Sequence, residues 1–323
     1  DGSLTQSDTE KADVLNSFFG SVFTSESDGD VPVFDCGQTL DTNTVVVSEQ
    51  QMCKALQALK VNKSPGPDEI SPRVLRELAS ELSFPLTVLF RRTMSEGKIP
   101  IDWKEAEVKP LFKKGDKSSA SNYRPVSLTS VVCKVFEGFV RDQLCDHLVK
   151  NGLLSDDQFG FTKGRSCVTQ LLVTVNEWMS ALDDGLSVDA VYMDLKKAFD
   201  TVPHLRLISK LKGYGIKGEL LQWISDFLKD RTQYVTVNGN SSERIRVTSG
   251  VPQGSVVGPS LFIYFINDMP AQVECKTKIF ADDTKAYAIV DENTESRDLI
   301  QRCIDRLVEW TNKWLLEFNS QKC

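Results

Sequence analysis

The stretch KIFADDTKAY, residues 278–287, constrains the fold more than any other, because it places two adjacent aspartates between two apolar segments. Successive side chains of a regular strand point to opposite faces, so Asp282 and Asp283 can act on one target only where the chain bends. Residues 278–281 and 284–290 each have the composition of a short β segment, and Asp is common in tight turns. The pattern predicts a β-hairpin that carries two carboxylates at its tip.

Length, composition and cysteine usage indicate a folded chain in a reducing compartment. The 323 residues are 41% hydrophobic with only 12 prolines, which is enough apolar material for a substantial core. The eight cysteines form no CxxC pair, and no apolar run approaches the length of a membrane span. The first residues lack a basic segment followed by an apolar one, so no secretory signal is predicted. These features predict an intracellular protein without a membrane partner.

Charge is distributed unevenly along the chain. The formal net charge of −7, taken alone, argues against a nucleic-acid partner. Residues 1–50 hold ten acidic side chains against Lys11 alone, a balance of −9, so the other 273 residues are at about +2. Residues 60–124 carry thirteen Lys or Arg against nine acids. A basic face for nucleic acid is therefore available there, although scattered lysines are equally often plain solvated surface.

Local patterns predict an α+β fold in which helices pack on a small antiparallel sheet. Residues 1–47 combine one amphipathic stretch with an acidic, turn-rich run that we interpret as a linker. A helix is expected from Ser48, which stands in capping-box spacing with Gln51, and NKSPGPDEISP at 62–72 then breaks the chain. Further helices are predicted at 73–97, 130–150, 166–185, 204–229, 257–268 and 294–317, and β segments at 106–114, 188–194 and 232–250, besides the hairpin.

A third aspartate, Asp194, ends the short apolar strand VDAVYMD. If this strand and the hairpin share a sheet, three carboxylates converge, and their mutual repulsion calls for a cation. Oxygen ligands favour Mg²⁺ or Mn²⁺, and the chain has only His147 and His204 from which to build a zinc site. Two such ions, roughly 4 Å apart, suit phosphoryl or nucleotidyl transfer. For aspartates in isolation, a polar turn and a strand cap would be the better interpretation.

The surrounding motifs favour the catalytic interpretation. The chain contains, in order, the stretches LFKKGDKSSASNYRPVSLTSVVCKVFE, QFGFTKGRSC, VYMDLKKAFDTVPH, SGVPQGSVVGPSLF, KIFADDTKAY and WLLEFNSQKC. From about residue 55 to its end it resembles the reverse transcriptase of non-LTR retrotransposons, most nearly the Jockey and CR1 type. The resemblance implies the fingers and palm of a right-hand polymerase, with a small antiparallel palm sheet and packed helices.

The same resemblance implies a domain layout. Residues 1–47 are similar to the linker that follows an endonuclease domain in such polyproteins, residues 48–108 to the N-terminal extension of the fingers, and residues 109–323 to fingers and palm. The chain lacks an initiator methionine and stops just after Lys322. A fragment is therefore expected, cut before the primer grip and with its thumb missing.

The implied activity is RNA-directed DNA synthesis, with two Mg²⁺ ions (Mn²⁺ possible in their place) as cofactors. The implied partners are an RNA template, a DNA primer, dNTPs and an upstream endonuclease domain in the full polyprotein, within a ribonucleoprotein of nucleus and cytoplasm. An RNA-directed RNA polymerase is the first alternative, against which Phe199 and FADD in place of GDD argue. The second alternative is a non-catalytic, nucleic-acid-binding remnant of a decayed element.

Residue by residue, the resemblance assigns the metal ions to Asp194, Asp282 and Asp283, with the backbone carbonyl of Leu195 as a further ligand. Phe199 matches the aromatic residue beneath the sugar of the incoming nucleotide, where a ring leaves no room for a 2′-hydroxyl. A core phenylalanine is the alternative for Phe199.

Further matches concern the nucleotide and the template. Lys113, Lys114 and Arg124 lie where the fingers hold the triphosphate, a role that suits Arg as a bidentate phosphate ligand. Gln253 and Gly254 match the loop that contacts nucleotide and template, and Arg165 matches a finger position near them. Lys322 matches the lysine that assists pyrophosphate departure.

Two neighbouring polar residues receive structural interpretations. Asp200 precedes TVPH and is expected to organise its loop or to cap the next helix. His204 is expected to be structural as well, because the chain contains no GxSxG nucleophile motif.

Overall fold

The computed structural model describes residues 5–27, 29, 31–37, 40–290 and 294–323. The chain forms helices and strands in a mixed α+β arrangement, as the sequence predicts. The helices are α1 Asp8–Ser21, α2 Glu49–Gln57, α3 Pro72–Glu77, α4 Ala79–Glu96, α5 Val131–Lys150, α6 Cys167–Asp183, α7 Ala198–Thr201, α8 His204–Gly213, α9 Gly218–Leu228, α10 Gly258–Ile266 and α11 Thr294–Trp314. The strands are β1 Glu105–Phe112, β2 Tyr123–Leu128, β3 Ser187–Met193, β4 Arg231–Val237, β5 Asn240–Ser241, β6 Ile245–Val247, β7 Lys276–Phe280 and β8 Asp283–Val290.

Several helix starts are encoded by short capping patterns. The Ser48 hydroxyl accepts a hydrogen bond from the Gln51 N–H, and the Gln51 side-chain oxygen accepts one from the Ser48 N–H. The predicted capping box of α2 is therefore confirmed. Ser7 and Glu10 close the same motif at α1, which the sequence analysis left as an amphipathic stretch. The helix predicted at 73–97 is divided into α3 and α4 at Leu78.

A three-stranded antiparallel sheet, with order β3-β8-β7, contains the predicted hairpin. β7 and β8 pair from Lys276 opposite Tyr287 to Phe280 opposite Asp283. β3 lies on the other side of β8, with Met193 opposite Thr284. We call this the carboxylate sheet. Its helical partners include α6 and α11, so the predicted helices on a small antiparallel sheet are confirmed for this part of the chain.

A second, larger sheet was not predicted from the sequence. Its strands follow the order β2-β1-β4-β5, and β6 also pairs with β4. β1 and β2 are antiparallel, whereas β1 and β4 run parallel, with Glu105 opposite Thr232. β2 escaped the local analysis because Pro125, which has no N–H to donate, interrupts its β signal.

Several parts of residues 1–47 pack against the rest of the chain. α1 packs on β4, where its Leu15 and Phe19 share a small core with Val108 and Val235. Beyond α1, the backbone N–H of Thr42 donates to the carbonyl of Gly215 at 2.9 Å. The interpretation of this segment as a linker did not foresee that part of it packs on the larger sheet. The domain boundaries stay predictions.

One large core joins α2 and α4 to α5, α8, α9, α10 and α11. It contains Phe90, Phe136, Trp223, Phe265 and Trp314, each at most 1% exposed. Within the described residues, no helix combines the length and apolar character that a membrane span requires.

Candidate active site

The three predicted aspartates meet at one edge of the carboxylate sheet. Asp194 directly follows β3, and since Met193 pairs with Thr284, Asp194 comes opposite Asp283. The two carboxyl groups lie within hydrogen-bonding reach of each other. Asp282 occupies the turn of the hairpin, next to Ala281 at a φ of 56°. The strand with Asp194 and the hairpin therefore share one sheet, and their register brings the three aspartates to the same edge.

The backbone of the hairpin tip is hydrogen-bonded to Gln158, a residue that the sequence analysis missed. Gln158 is 1% exposed, and its Oε1 accepts from the N–H groups of Gly160 at 2.7 Å and Ala281 at 3.1 Å. A Cβ atom added to Gly160 would lie 2.3 Å from the Ala281 nitrogen, so glycine permits this close approach. Because Gln158 and the hairpin are more than 120 residues apart, no local pattern reveals the contact.

The carboxylates carry unfavourable charge. Burial is the main cause that raises the pKa of Asp282, and the charges of Asp283 and Asp194 add to it. Burial also raises the pKa of Asp283, followed by the charge and hydrogen bond of Asp194. Lys322 opposes both shifts. A cation between these side chains would therefore be favoured.

Lys322 makes direct contact with this group. Its Nζ forms an ion pair with Oδ2 of Asp194, whose side chain is 14% exposed. The backbone positions Lys322 beside the carboxylate, because Asn319 donates its N–H to the Asp194 carbonyl and Leu195 pairs with Phe318. The side chain of Leu195 is buried. Its carbonyl as a metal ligand stays a prediction.

The donor set has the chemistry of a magnesium site, since carboxylate oxygens supply all of its side-chain ligands. In the described part of the chain, no group of three or more His, Cys, Asp or Glu side chains is already arranged to hold a metal ion. Lys322 engages one of the oxygens that a metal ion would use. The residues thus fit a divalent cation in charge and ligand type, and Lys322 occupies one oxygen of Asp194.

Four basic side chains lie close enough to influence the charge of one another, and two of them, Lys113 and Lys322, act on the carboxylates; we call Lys113, Arg124, Lys197 and Lys322 the cationic rim. Burial lowers the pKa of Lys197, Asp200 opposes this, and Lys113, Arg124 and Lys322 lower the pKa further. Lys113 also acts on the charge of Asp283. The rim joins the turn after β1, strand β2, the start of α7 and the last turn of the chain.

Lys197 belongs to this rim although the sequence analysis did not select it. It takes a left-handed conformation with φ of 46° before α7, and its Nζ lies 5.2 Å from the ring centre of Phe18. Its place three residues after Asp194 was the available signal. Lys114, by contrast, is exposed, and within the described residues it has no partner.

The predicted nucleotide loop, residues 249–257, wraps around Asp200. Gln253 donates from Nε2 to Oδ1 of Asp200 at 2.8 Å, and Ser249 donates to the Asp200 carbonyl at 2.7 Å. Nε2 of His204 contacts the Gly250 carbonyl at 2.8 Å, which agrees with the structural interpretation of both residues. Burial raises the pKa of Asp200 and lowers that of His204.

Two glycines let this loop approach its neighbours. Gly250 has φ of 88°, and an added Cβ would lie 2.7 Å from the carbonyl oxygens of Phe199 and Asp200. Gly254 has φ of 119°, and its added Cβ would lie 2.4 Å from the Ser127 carbonyl oxygen on β2. The loop therefore joins the larger sheet to the segment that follows Asp194.

Phe199 lies within an aromatic cluster beside that loop. Its ring stacks on Phe262 at 4.7 Å and meets Phe161 edge-on at 6.0 Å. Its carbonyl accepts from the Val251 N–H at 2.7 Å. Phe199 is half-buried, so part of its ring stays available at the site.

Arg165 holds its own loop together. Its Nη1 donates to the carbonyls of Ser155, Asp156 and Gln158 at 2.8–3.0 Å, and Nη2 pairs with the Asp156 carboxylate at 2.8 Å. The guanidinium therefore stabilises the turn that carries Gln158. Its contact with template or nucleotide stays a prediction.

Comparison with known proteins defines the class of this site. Residues 112–323, more than half of the chain, match the reverse transcriptase (RNA-dependent DNA polymerase) family. The chain belongs to this family, and the resemblance predicted from its motifs is confirmed.

The relatives are polymerases of mobile elements. The chain is 30% identical over 288 residues to a probable RNA-directed DNA polymerase from transposon BS of Drosophila melanogaster, covering 84% of this chain and 31% of the relative. It is 28% identical over 289 residues to the RNA-directed DNA polymerase from mobile element jockey of the same species, covering 86% and 31%. The polymerase from transposon X-element, also probable by name, is 29% identical over 81% of the chain. The chain thus spans about three tenths of the length of these relatives.

Proposed function

We propose that this chain is the fingers and palm of a non-LTR retrotransposon polymerase, which adds dNTPs to the 3′-hydroxyl of a DNA primer on an RNA template. The observation that carries the proposal is the convergence of Asp194, Asp282 and Asp283 at one sheet edge within a rim of cations. In this assignment the carboxylate sheet belongs to the palm and the larger sheet to the fingers.

Each part of the site has a role in this reaction. The three aspartates, with the Leu195 carbonyl, would hold two Mg²⁺ or Mn²⁺ ions, which when bound activate the attacking hydroxyl and stabilise the leaving oxygen. Lys113, Arg124 and Lys197 bind the triphosphate, because they present fixed positive charge to it. Lys322 leaves Asp194 and places its ammonium near the departing pyrophosphate.

Two further groups select the nucleotide. Phe199, fixed by Phe262 and Phe161, lies beneath the sugar and excludes a 2′-hydroxyl. Gln253 and Gly254 contact the nucleotide and template from a loop that Asp200 holds. The upstream endonuclease domain and a ribonucleoprotein in nucleus and cytoplasm complete the proposal for the parent protein.

Primer extension tests the assignment. An oligo(dT)-primed RNA template, Mg²⁺ and labelled dTTP should give extension with the protein and none with Asp194→Asn. Asp189→Asn is the matched control, because Asp189 is an exposed aspartate on the same strand, opposite Ala288. The control should extend as the wild type does.

The alternatives predict different results. Extension with ribonucleotides in preference to dNTPs would favour an RNA-directed RNA polymerase. Binding of primer-template without extension, also in a longer protein that includes the sequence after Cys323, would identify a non-catalytic remnant.

A further inference from the structure

Glu137 is a fully buried acidic residue that the catalytic scheme above leaves unused. It lies in the middle of α5, and its relative exposure is 0%. A carboxyl group at such a position loses its hydration, so it is stabilised there only by specific polar partners. These partners identify what it does.

Both hydrogen bonds of Glu137 come from the backbone of the nucleotide loop. Its Oε2 accepts from the N–H of Val256 at 2.6 Å and from the N–H of Val257 at 3.1 Å. These groups precede α10, where the first N–H groups of a helix have no partner within the helix. A carboxylate also suits the positive end of the helix dipole. Gln253 lies only three residues before Val256.

Other polar groups also surround the Glu137 carboxyl group. The buried thiol of Cys133 lies one turn earlier on α5, and the charge and hydrogen bond of Glu137 help burial to raise its pKa. Burial raises the pKa of Glu137, while the loop N–H groups, Arg231 and Lys134 oppose the shift. The hydrogen bonds from Val256 and Val257 are the ones that join this carboxylate to the loop, so fixing the loop is the effect that reaches beyond α5.

The opposite end of the loop is held by the larger sheet. Ser127 on β2 donates its N–H to the Gln253 carbonyl at 2.8 Å, and the Asp200 carboxylate holds the Gln253 side chain. Gln253 is therefore fixed on one side by Ser127 and Asp200, and the backbone that follows it is fixed by Glu137. Release at Glu137 removes the side-chain support from the backbone between Gln253 and the start of α10.

We propose that Glu137 is a positioning residue for polymerisation, which fixes the 249–257 loop so that Gln253 and Gly254 meet the nucleotide and template in a defined geometry. The inference rests on the proposed function, because it assigns the loop to nucleotide binding. Loss of this contact weakens the binding of dNTP more than it slows the chemical step, because the carboxylate edge and its rim are unchanged.

Amide hydrogen exchange and kinetics test the proposal together. In Glu137→Gln, the Val256 and Val257 amides should exchange at least about tenfold faster, since the anionic acceptor is lost. The KM for dTTP should rise by about tenfold, while kcat stays within about threefold. Glu137→Asp, whose shorter side chain reaches the loop less well, should change both quantities in the same direction.

His147→Gln is the matched control. His147 lies on the same helix, is buried, and contacts the Tyr214 carbonyl at 2.7 Å, away from the loop. It should lose stability without changing the exchange of Val256 and Val257 or the KM for dTTP. An equal rise of KM in this control would overturn the proposal, because general loosening would then explain the effect.

The remaining outcomes are also decisive. Unchanged exchange or an unchanged KM in Glu137→Gln overturns the inference, and so does failure of both Glu137 variants to fold while the control folds, because the role is then structural. If the wild type incorporates no dNTP, the proposed function fails, and the exchange experiment still decides whether Glu137 fixes the loop.

Discussion

The carboxylate edge and the surroundings of Lys210 bury charge in opposite ways. Lys210, on α8, is 0% exposed, forms an ion pair with Asp268 and donates to the Phe265 carbonyl. The rings of Trp314 and Trp310 lie 3.9 and 4.5 Å from its Nζ. Asp282 and Asp283 lie beside like charges, whereas Asp194 pairs with Lys322. Among the described residues, Lys322 opposes the pKa shifts of Asp282 and Asp283, and Lys113 opposes that of Asp283 as well.

The difference separates a structural charge from a functional one. Lys210 pairs with Asp268 and lies against aromatic rings, so its side chain joins α8, α10 and α11, although burial still disfavours its charged form. The aspartates keep an unfavourable interaction that a bound cation relieves, and such groups are typical of functional sites. Removing a charge should therefore have opposite effects on stability in the two regions.

The largest effect is expected at the carboxylate edge. Asp283→Asn should reduce dNTP incorporation by at least ~10³-fold, because several kcal/mol of metal-dependent stabilisation is lost. Its thermal stability should stay equal or rise, because the raised pKa means that the charged form is disfavoured in the folded state. Extension assays and thermal unfolding measure the two quantities. Near-normal extension, or a marked loss of stability, would contradict the assignment.

At Lys210 the effect should be on stability. Lys210→Met should lower the free energy of unfolding by about 3–5 kcal/mol, because Asp268 is left in the interior without its cation. Denaturant titration measures this. Lys212 lies on the same helix, but its side chain is exposed. Lys212→Met should therefore change the free energy of unfolding by less than about 0.5 kcal/mol. Equal stability of the two variants would show that the contacts of Lys210 with Asp268, Trp310 and Trp314 contribute nothing specific to the free energy of unfolding.

The same lysine predicts a pH dependence. Burial lowers the pKa of Lys210 to about 8, below its ordinary value of 10.5, although Asp268 opposes the shift. Between these two values the unfolded chain binds more protons than the folded chain, so the contribution of Lys210 to stability rises with pH. From pH 8 to 9.5 the gain should be at most about 2 kcal/mol relative to Lys210→Met. A parallel course of the two stability curves would exclude this.

A smaller effect is expected for sugar selection. Phe199→Val should raise ribonucleotide incorporation relative to dNTPs by about tenfold, because one steric contact typically accounts for 1–3 kcal/mol of discrimination. Competition assays with matched UTP and dTTP measure the ratio. Phe161→Val removes the edge-on neighbour and leaves the ring of Phe199, so it serves as the control. An unchanged ratio in Phe199→Val would refute its position under the sugar.

An effect of similar size separates Arg124 from Lys114, the two candidates for triphosphate binding that differ most in location. Arg124→Ala should raise the KM for dTTP about tenfold, whereas Lys114→Ala should change it less than twofold, because Lys114 lies outside the cationic rim. Steady-state kinetics at fixed ionic strength compares them. A larger rise of the KM in Lys114→Ala than in Arg124→Ala would show that the cationic rim does not identify the residues that bind the triphosphate.

Local sequence patterns were sufficient for the hairpin and for the convergence of its carboxylates. The period of two in β3 and β8, and the turn at Asp282, determine which side chains face one target. The capping box at Ser48 is equally local. Predictions of this kind succeed because the interacting residues are close in sequence or share a strand register.

The contacts of Gln158, Glu137 and Lys197 could not be predicted in the same way. Gln158 meets the hairpin, and Glu137 meets the nucleotide loop, across more than 110 residues each. The parallel pairing of β1 with β4 likewise depends on the whole intervening chain. Arg165 shows the converse, since its motif suggests substrate contact while its guanidinium holds its own turn.

The docking of α1 on β4 has a consequence for synthesis on the ribosome. Asn16 reaches Gln233 and Ser242, so the partners of α1 emerge more than 200 residues after it. At about 5–20 residues per second, this is a delay of roughly 10–50 s, during which Leu15 and Phe19 lack Val235, the last of their core partners to be made. α1 is therefore made long before the strand on which it docks, and during this interval it is a natural substrate for chaperones.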